Sequence, residues 1–316
     1  MTPPNPPVET AILPYCEAAI AEAARLILAG LPVAIPTETV YGLAADAGDG
    51  EAVARVYQAK ERPSFNPLIV HILSLEAAEE IAAFDAVARA LAERFWPGPL
   101  TLVLPLKPDS GIAALVTAGL ATIALRVPAH PAMRALLAAV GRPLAAPSAN
   151  ASGRLSPTRA AHVRAGLGGR IPLIVDAGPA EHGLESTIVA VGEGGVRLLR
   201  PGPIADLGVA LSPNLSGAIE APGQLASHYA PAKPLRLNAL EAEPDEWLIG
   251  FGEVRGHSNL SPSSDSIEAA ARLFELLHEA EGAAAAKIAV APVPGDGLGA
   301  AINDRLARAA APRETQ

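Results

Sequence analysis

The chain has 316 residues, of which 50% are apolar, 18% charged and only 3% aromatic, with a formal net charge of −9. This predicts one large or two unequal domains with an aliphatic, alanine-rich core, and it argues against tight non-specific nucleic-acid binding, which needs several cations on phosphates. The one cysteine, Cys16, excludes an intrachain disulfide and a cysteine-clustered zinc site.

The charge is uneven. Residues 1–205 carry 16 of the 24 basic and 18 of the 33 acidic side chains, so the acidity belongs mostly to the last third. No run approaches the roughly twenty apolar residues of a membrane span, and MTPPNPPVET lacks the basic and apolar regions of a signal peptide, so a soluble, cytoplasmic protein with no membrane contact is expected.

In chain order, residues 1–14 hold five prolines and predict an extended arm. Helix formers from Tyr15 to Ala29 stop at Gly30, a suitable left-handed cap. The short strand Leu31 to Ile35 then empties into PTETVYGL at 36–43, placing hydroxyls, a carboxylate and a phenol at a strand end, where open α/β sheets bind ligands. A helix from Glu51 to Ala59 leads to KERPSFNPLIVHI at 60–72. There Pro63 and Pro67 fence Lys60, Arg62 and Asn66 on a loop ahead of the apolar strand 68–72, which carries His71. Fixed cations at the mouth of a buried strand suggest an anion site; the plainer reading of Lys60 alone is a solvated helix end.

Helices at 75–82 and 85–95, the rigid turn Trp96 to Pro99 and strands at 100–106 and 122–127 follow. Arg126 near the end of the second strand must face either a structural carboxylate or a ligand anion. After a helix at 131–140, the strand 143–146 opens into Pro147 to Arg154, a small polar loop before the helix 158–164. It offers hydroxyls and backbone N–H groups to phosphate oxygens, or is an ordinary turn with Thr158 as an N-cap. Strands at 173–176, 186–191 and 196–199 complete a twisted α/β sheet, and the last delivers Arg200 to a Pro-Gly-Pro turn. Residues 206–231 read as an irregular linker, and the strand–helix–strand–helix pattern from Trp247 to Ala310 as a small acidic α/β domain.

The common fingerprints are missing. The sequence has no GxxxxGK[ST], no GxGxxG, no HExxH and no GxSxG, and no serine has a lysine three residues later. Cations and hydroxyls without an obvious nucleophile suit chemistry that needs positioning and charge neutralisation, such as transfer at a phosphorus of ATP.

Taken together, PTETVYGL at 36–43, KERPSFNPLIVHI at 60–72, WPGPLTLVL at 96–104, SANASGRLSPT at 148–158, ESTIV at 185–189, RPGPI at 200–204 and SHYAP at 227–231 resemble the Sua5/YrdC family. The acidic tail is similar to the C-terminal domain of its longer Sua5 type. The resemblance implies a YrdC-like catalytic domain at 1–205 built on an open mixed sheet, a linker at 206–231 acting as an active-site lid, and a Rossmann-like α/β domain at 232–316. It also implies formation of threonylcarbamoyl-AMP and pyrophosphate from L-threonine, bicarbonate and ATP, with Mg2+ carried on the phosphates, for a downstream transferase that modifies adenosine 37 of tRNA.

Carried over by motif, the threonine site falls on Thr39, His71, Arg126, Ser148 and Ser186. The ATP site falls on Lys60, Arg62, Asn66, Thr122, Asn150, Thr158, Arg200 and Tyr229, with Lys60 and Arg62 nearest the chemistry. Glu38 is either within reach of a metal-bound water or structural. The main reading allows a weak tRNA contact; the alternative is a YrdC-type module that holds RNA through a basic cleft and makes no adenylate. The hydrogenase-maturation relatives are a poorer fit, because the chain lacks their zinc-finger cysteines and acylphosphatase-like segment.

Overall fold

The computed structural model describes residues 8–63, 66–213, 220–225 and 227–312. The arm's residues 1–7, Ser64 and Phe65 of the cationic loop, and residues 214–219 and Ala226 of the linker lie outside them.

The elements of the larger unit are, in order, β1 (Ala11–Pro14), α1 (Glu17–Leu28), β2 (Val33–Pro36), β3 (Tyr41–Asp46), α2 (Gly50–Lys60) and β4 (Ile69–His71). Then come α3 (Leu75–Ile81), α4 (Ala86–Phe95), β5 (Leu100–Pro105), α5 (Ala114–Thr117), β6 (Thr122–Arg126) and α6 (Pro131–Val140). The unit closes with β7 (Leu144–Ala145), α7 (Ala160–Leu167), β8 (Leu173–Asp176), β9 (Thr187–Gly192) and β10 (Gly195–Arg200). The ten strands form one mixed sheet in the order β1-β8-β2-β3-β7-β4-β6-β5-β9-β10.

Alternation along the strands divides the core between the two faces of this sheet. Val33 and Ile35 of β2 pack with α1 and α6, whereas Ala34 between them joins Leu43, Val70 and Leu125 beneath α2 and α7. Both faces are therefore covered by helices, and functional side chains are confined to the strand ends and the loops that leave them.

Two strands depart from the sequence reading. The extended arm is in part β1, which pairs parallel to β8 at the sheet edge, where Pro14 forfeits no interior hydrogen bond. β3 was hidden because Tyr41 to Asp46 is buried on both sides and reads YGLAAD, with no apolar–polar alternation.

The second unit has β11 (Leu235–Arg236), β12 (Glu246–Gly250), β13 (Ser258–Asn259), α8 (Ser266–Gly282), β14 (Lys287–Val290) and α9 (Leu298–Ala310). Its four strands are parallel, in the order β11-β14-β12-β13. The described linker residues belong to no helix or strand. The second core is not self-contained: it takes in Leu155 and Leu184 of the larger unit and Tyr229 of the linker. Each of these side chains contributes roughly 1.5–3 kcal/mol of burial to the junction. Among the described residues no helix is long and apolar enough to cross a membrane.

Candidate active site

A cavity opens where β2, β4 and β6 end and β9 begins, lined among others by Thr39, Arg62, His71, Arg126, Ser148, Ser186, Arg200 and Tyr229. Local sequence explains how each arrives. α2 is stopped at Glu61, which takes a left-handed conformation (φ 52°), and Arg62 N–H closes the turn by donating to Tyr57 O at 2.9 Å. Arg62 is thereby turned inward, where Nε donates to Asn66 O at 3.2 Å and Nη2 to Pro67 O at 2.9 Å. The pairing of β4 with β6 sets His71 beside Arg126.

Arg200 depends on a bulge. Leu198 pairs with Val189 but Arg200 pairs with Ile188, so Leu199 is an extra residue that re-aims the arginine. Its Nε donates to Ser186 O and its Nη2 to Ser186 Oγ, both at 3.0 Å. The turn that follows packs directly on β9: a Cβ at Gly202 would lie 2.4 Å from Thr187 N, so no side chain fits there.

The cavity groups fall into two sets. In the first, Arg126 Nη2 lies 2.6 Å from Glu38 Oε1, Nη1 donates to Thr39 Oγ1 at 2.9 Å and Nε donates to Gly98 O at 3.1 Å. Arg126 thus has a structural carboxylate, and Glu38 is that carboxylate. Burial works against the Glu38 charge, but Arg126 outweighs it and holds the carboxyl at about 2. His71 is buried with no hydrogen-bond partner on either ring nitrogen, and burial with the nearby Arg126 charge pushes it down to about 3. It is a neutral ring waiting for a polar ligand.

The second set is Arg62, Arg200, His228 and Tyr229. Among the described residues neither Arg62 nor Arg200 has a carboxylate within ion-pair distance, although both are buried. Burial lowers both guanidinium pKa values, that of Arg62 to about 10. The phenol oxygen of Tyr229 and Nδ1 of His228 are buried without partners. Two buried cations without a counter-ion, beside unsatisfied polar atoms, amount to a demand for an anionic ligand.

Five expected residues do not line the cavity. Lys60 lies behind it, fully buried, donating to Ser148 O and, at 2.6 Å, to Asn150 O; it shapes the loop that carries Ser148. Burial and the Arg62 charge push its ammonium well below the ordinary value. Asn150 donates to Ala151 O and Arg154 O, while its Oδ1 and the whole side-chain amide of Asn66 are buried without partners. Thr158 is buried beside His162, with Oγ1 3.3 Å from Nδ1, and the N-cap of α7 is Arg159. Thr122 is half-buried at the start of β6, opposite Pro105.

The structure adds Thr37, Glu185, Pro222, Gly223 and His228 to the lining. Glu185 and His228 stand inside ESTIV and SHYAP, where a carboxylate and an imidazole within otherwise apolar or small surroundings were the available signal. The cavity volume is only about 40 Å³, room for roughly three waters. Pro222, Gly223, His228 and Tyr229 make its linker side, so they must move to admit anything the size of a nucleotide.

Neither cavity carboxylate suits a metal ion. Glu38 is engaged by Arg126, and the two oxygens of Glu185 accept from Ser156 Oγ and Arg305 Nε. Among the described residues no three His, Cys, Asp or Glu side chains come together in a metal-binding group.

The fold and cavity define a two-unit α/β protein with a small arginine-lined cavity between its sheet and a connecting segment. The chain belongs to the Sua5/YciO/YrdC family, and within it to the two-domain Sua5 type. The family model, described as telomere recombination, matches residues 25–202, and one described as the C-terminal domain of threonylcarbamoyl-AMP synthase matches residues 197–311. Threonylcarbamoyl-AMP synthase of Bacillus subtilis is 46% identical over 241 residues, 73% of this chain and 69% of that protein. The protein of the same name from Pyrococcus abyssi is 38% identical over 316 residues, 91% and 92%. A crystal structure of P. abyssi Sua5 complexed with L-threonine superposes with a TM-score of 0.86 at 36% identity, covering 95% of this chain and 97% of that one.

Proposed function

We propose that the chain is an L-threonylcarbamoyladenylate synthase, a nucleotidyltransferase that joins L-threonine, bicarbonate and ATP. The observation that carries this is the pair of buried arginines, Arg62 and Arg200, without counter-ions, in one cavity with Arg126 and the unsatisfied His71. One set suits an amino acid and the other a polyphosphate. The RNA-binding alternative is disfavoured by the same facts, since an arginine 3–9% exposed cannot lie along a nucleic-acid backbone.

In this reading the threonine carboxylate meets Arg126, its side chain and amine meet His71 with Thr39, Ser148 and Ser186, and the triphosphate meets Arg62 and Arg200. The threonine amine and bicarbonate give a carbamate with loss of water. A carbamate oxygen then attacks the α-phosphorus, the bond to the bridging α–β oxygen breaks, and pyrophosphate leaves with that electron pair. No protein nucleophile takes part. Mg2+ rides on the phosphates rather than on a protein carboxylate. Lys60, Asn66, Asn150 and Thr158 support the walls around the nucleotide, Thr122 contributes from the start of β6, and Tyr229 covers it. Closure excludes water from a labile mixed anhydride. A separate transferase consumes the product on adenosine 37 of tRNA.

The deciding experiment is pyrophosphate release with all three substrates present and with each withheld in turn; release that is independent of threonine or bicarbonate overturns the reading. His71→Phe keeps the ring volume but removes both nitrogens, and it raises the threonine KM about tenfold with the ATP KM little changed, the scale of one hydrogen bond to a charged group. Gly223→Ala acts at the cover. Gly223 has φ 88°, and an added Cβ would lie 2.6 Å from the Tyr229 hydroxyl and 3.0 Å from Arg200 Cδ. Steady-state kinetics then show an ATP KM raised several-fold and an unchanged threonine KM.

A further inference from the structure

One side chain of the second unit touches two of the cavity-lining residues, on both the linker and the sheet side. Arg305 of α9 is the largest fully buried side chain among the described residues, and it sits at the junction of both units and the linker. Its Nε donates to Glu185 Oε2 at 2.8 Å, its Nη1 to Asp304 Oδ2 at 2.7 Å, and its guanidinium carbon lies 5.2 Å from the centre of the Tyr229 ring. Glu185 and Tyr229 both line the cavity, from opposite sides of the linker junction.

The rest of α9 grips the same stretch. His228 N–H donates to Arg308 O at 3.2 Å, and Arg308 Nη1 donates to Leu225 O at 2.6 Å. Phe274 of α8 also packs against the Tyr229 ring, with centroids 5.7 Å apart. The larger unit holds the flanking backbone, with Ala230 N–H donating to Gly153 O at 2.8 Å and Arg200 Nη1 to Pro222 O at 3.4 Å, while the Tyr229 hydroxyl has no partner. The Tyr229 ring itself is held by the second unit, through Arg305 and Phe274.

We infer that Arg305 is a positioning residue for the nucleotide half of the site: it fixes the Tyr229 ring by cation–π contact and, through Glu185, fixes the 185–186 corner against which Arg200 is aligned. The guanidinium's planar fork lets one side chain do both, stacking by its face and hydrogen-bonding by its edge. Arg200 takes its two 3.0 Å bonds from Ser186, the residue after Glu185, so a shift of that corner moves Arg200 as well. Arg126 itself is held by other elements, and of the groups assigned to threonine Ser186 stands on this corner. The consequence is specific: disturbing Arg305 weakens ATP binding well beyond its effect on threonine binding. This inference rests on the proposed assignment of the two halves of the site.

The test uses the full chain with Arg305→Met and Arg305→Lys. Hydrogen exchange over residues 220–231 reads the seating of the linker without reference to activity, and pyrophosphate kinetics read the consequence. Arg305→Met speeds exchange in that segment at least tenfold and raises the ATP KM about tenfold, with the threonine KM within twofold. Arg305→Lys, which keeps the charge opposite Glu185 but loses the flat face over Tyr229, moves both in the same direction by less and serves if the methionine variant does not fold.

Ile288→Ala, in the core of the small sheet, controls for loss of stability and leaves the ATP KM unchanged. Unaltered linker exchange in a folded Arg305 variant, or equal rises in both KM values, overturns the inference. Faster exchange in a protein whose parent form releases no pyrophosphate instead overturns the proposed function and leaves the seating role intact.

Discussion

Replacing Arg126 by methionine lowers the unfolding free energy by about 3–5 kcal/mol in urea denaturation, because it strands the Glu38 carboxylate in a site where both partners are only 4% exposed. The loss comes from the charge left behind more than from the missing bonds. Adding Glu38→Gln to Arg126→Met therefore recovers most of the stability, since replacing both members of a buried pair is close to neutral. Function separates from folding in the double variant. Its cavity still holds Arg62 and Arg200, so the ATP KM stays within a few-fold, while the threonine KM rises by at least tenfold. A single variant that loses less than about 1 kcal/mol would mean that the pair is not charged in the native state; a double variant with normal threonine dependence removes Arg126 from the amino-acid site.

That pair also marks how far the sequence could be read. An arginine at the end of a buried strand demands an acceptor, and the sequence offered two kinds, a carboxylate of the chain or one of a ligand. Nothing in residues 122–127 points to Glu38, which lies 88 positions earlier in the chain and meets Arg126 only because the turn after β2 reaches the end of β6, with three strands of the sheet between them. Most strands and every helix but the four-residue α5 were readable from periodicity and from punctuation such as Gly30 and Pro63, since these act locally. β3 was not, because a small-residue strand buried on both faces has no period to detect. Lys60 was misleading for a related reason. Its position after a helix and before Arg62 suggests a solvent-facing cation, yet the chain turns at Glu61 and the ammonium goes inward to the carbonyls of Ser148 and Asn150. The role of α9 was unreadable, because a pattern that marks Arg305 as one charge on an amphipathic helix says nothing about the unit on which that helix docks.

Acid destabilises this protein earlier than carboxylate titration would. His71 and His228 are buried and neutral, each pushed by burial to about 3, against an unfolded value near 6.5. Between those limits the unfolded chain binds protons that the native state refuses, so stability falls as pH drops below about 6.5 and stops changing on their account below about 3. At 1.36 kcal/mol per pH unit, going from pH 7.5 to pH 5 costs about 2 kcal/mol for each histidine and about 4 kcal/mol for the two.

Glu38 acts in a lower window. Its native pKa is depressed from 4.5 to about 2, so its contribution is complete above 4.5 and is lost only as pH falls from there toward 2. Urea midpoints at pH 7.5, 6, 5 and 4 therefore decline from the first step. His228→Gln, which keeps a polar side chain but cannot titrate, removes about 2 kcal/mol of the decline between pH 7.5 and 5 and leaves the Glu38 contribution below pH 4.5 in place. A flat stability profile down to pH 5 in the parent protein would require that both imidazoles reach water or a carboxylate in solution. The cavity would then lack the dry, unsatisfied interior on which its demand for an anionic ligand depends.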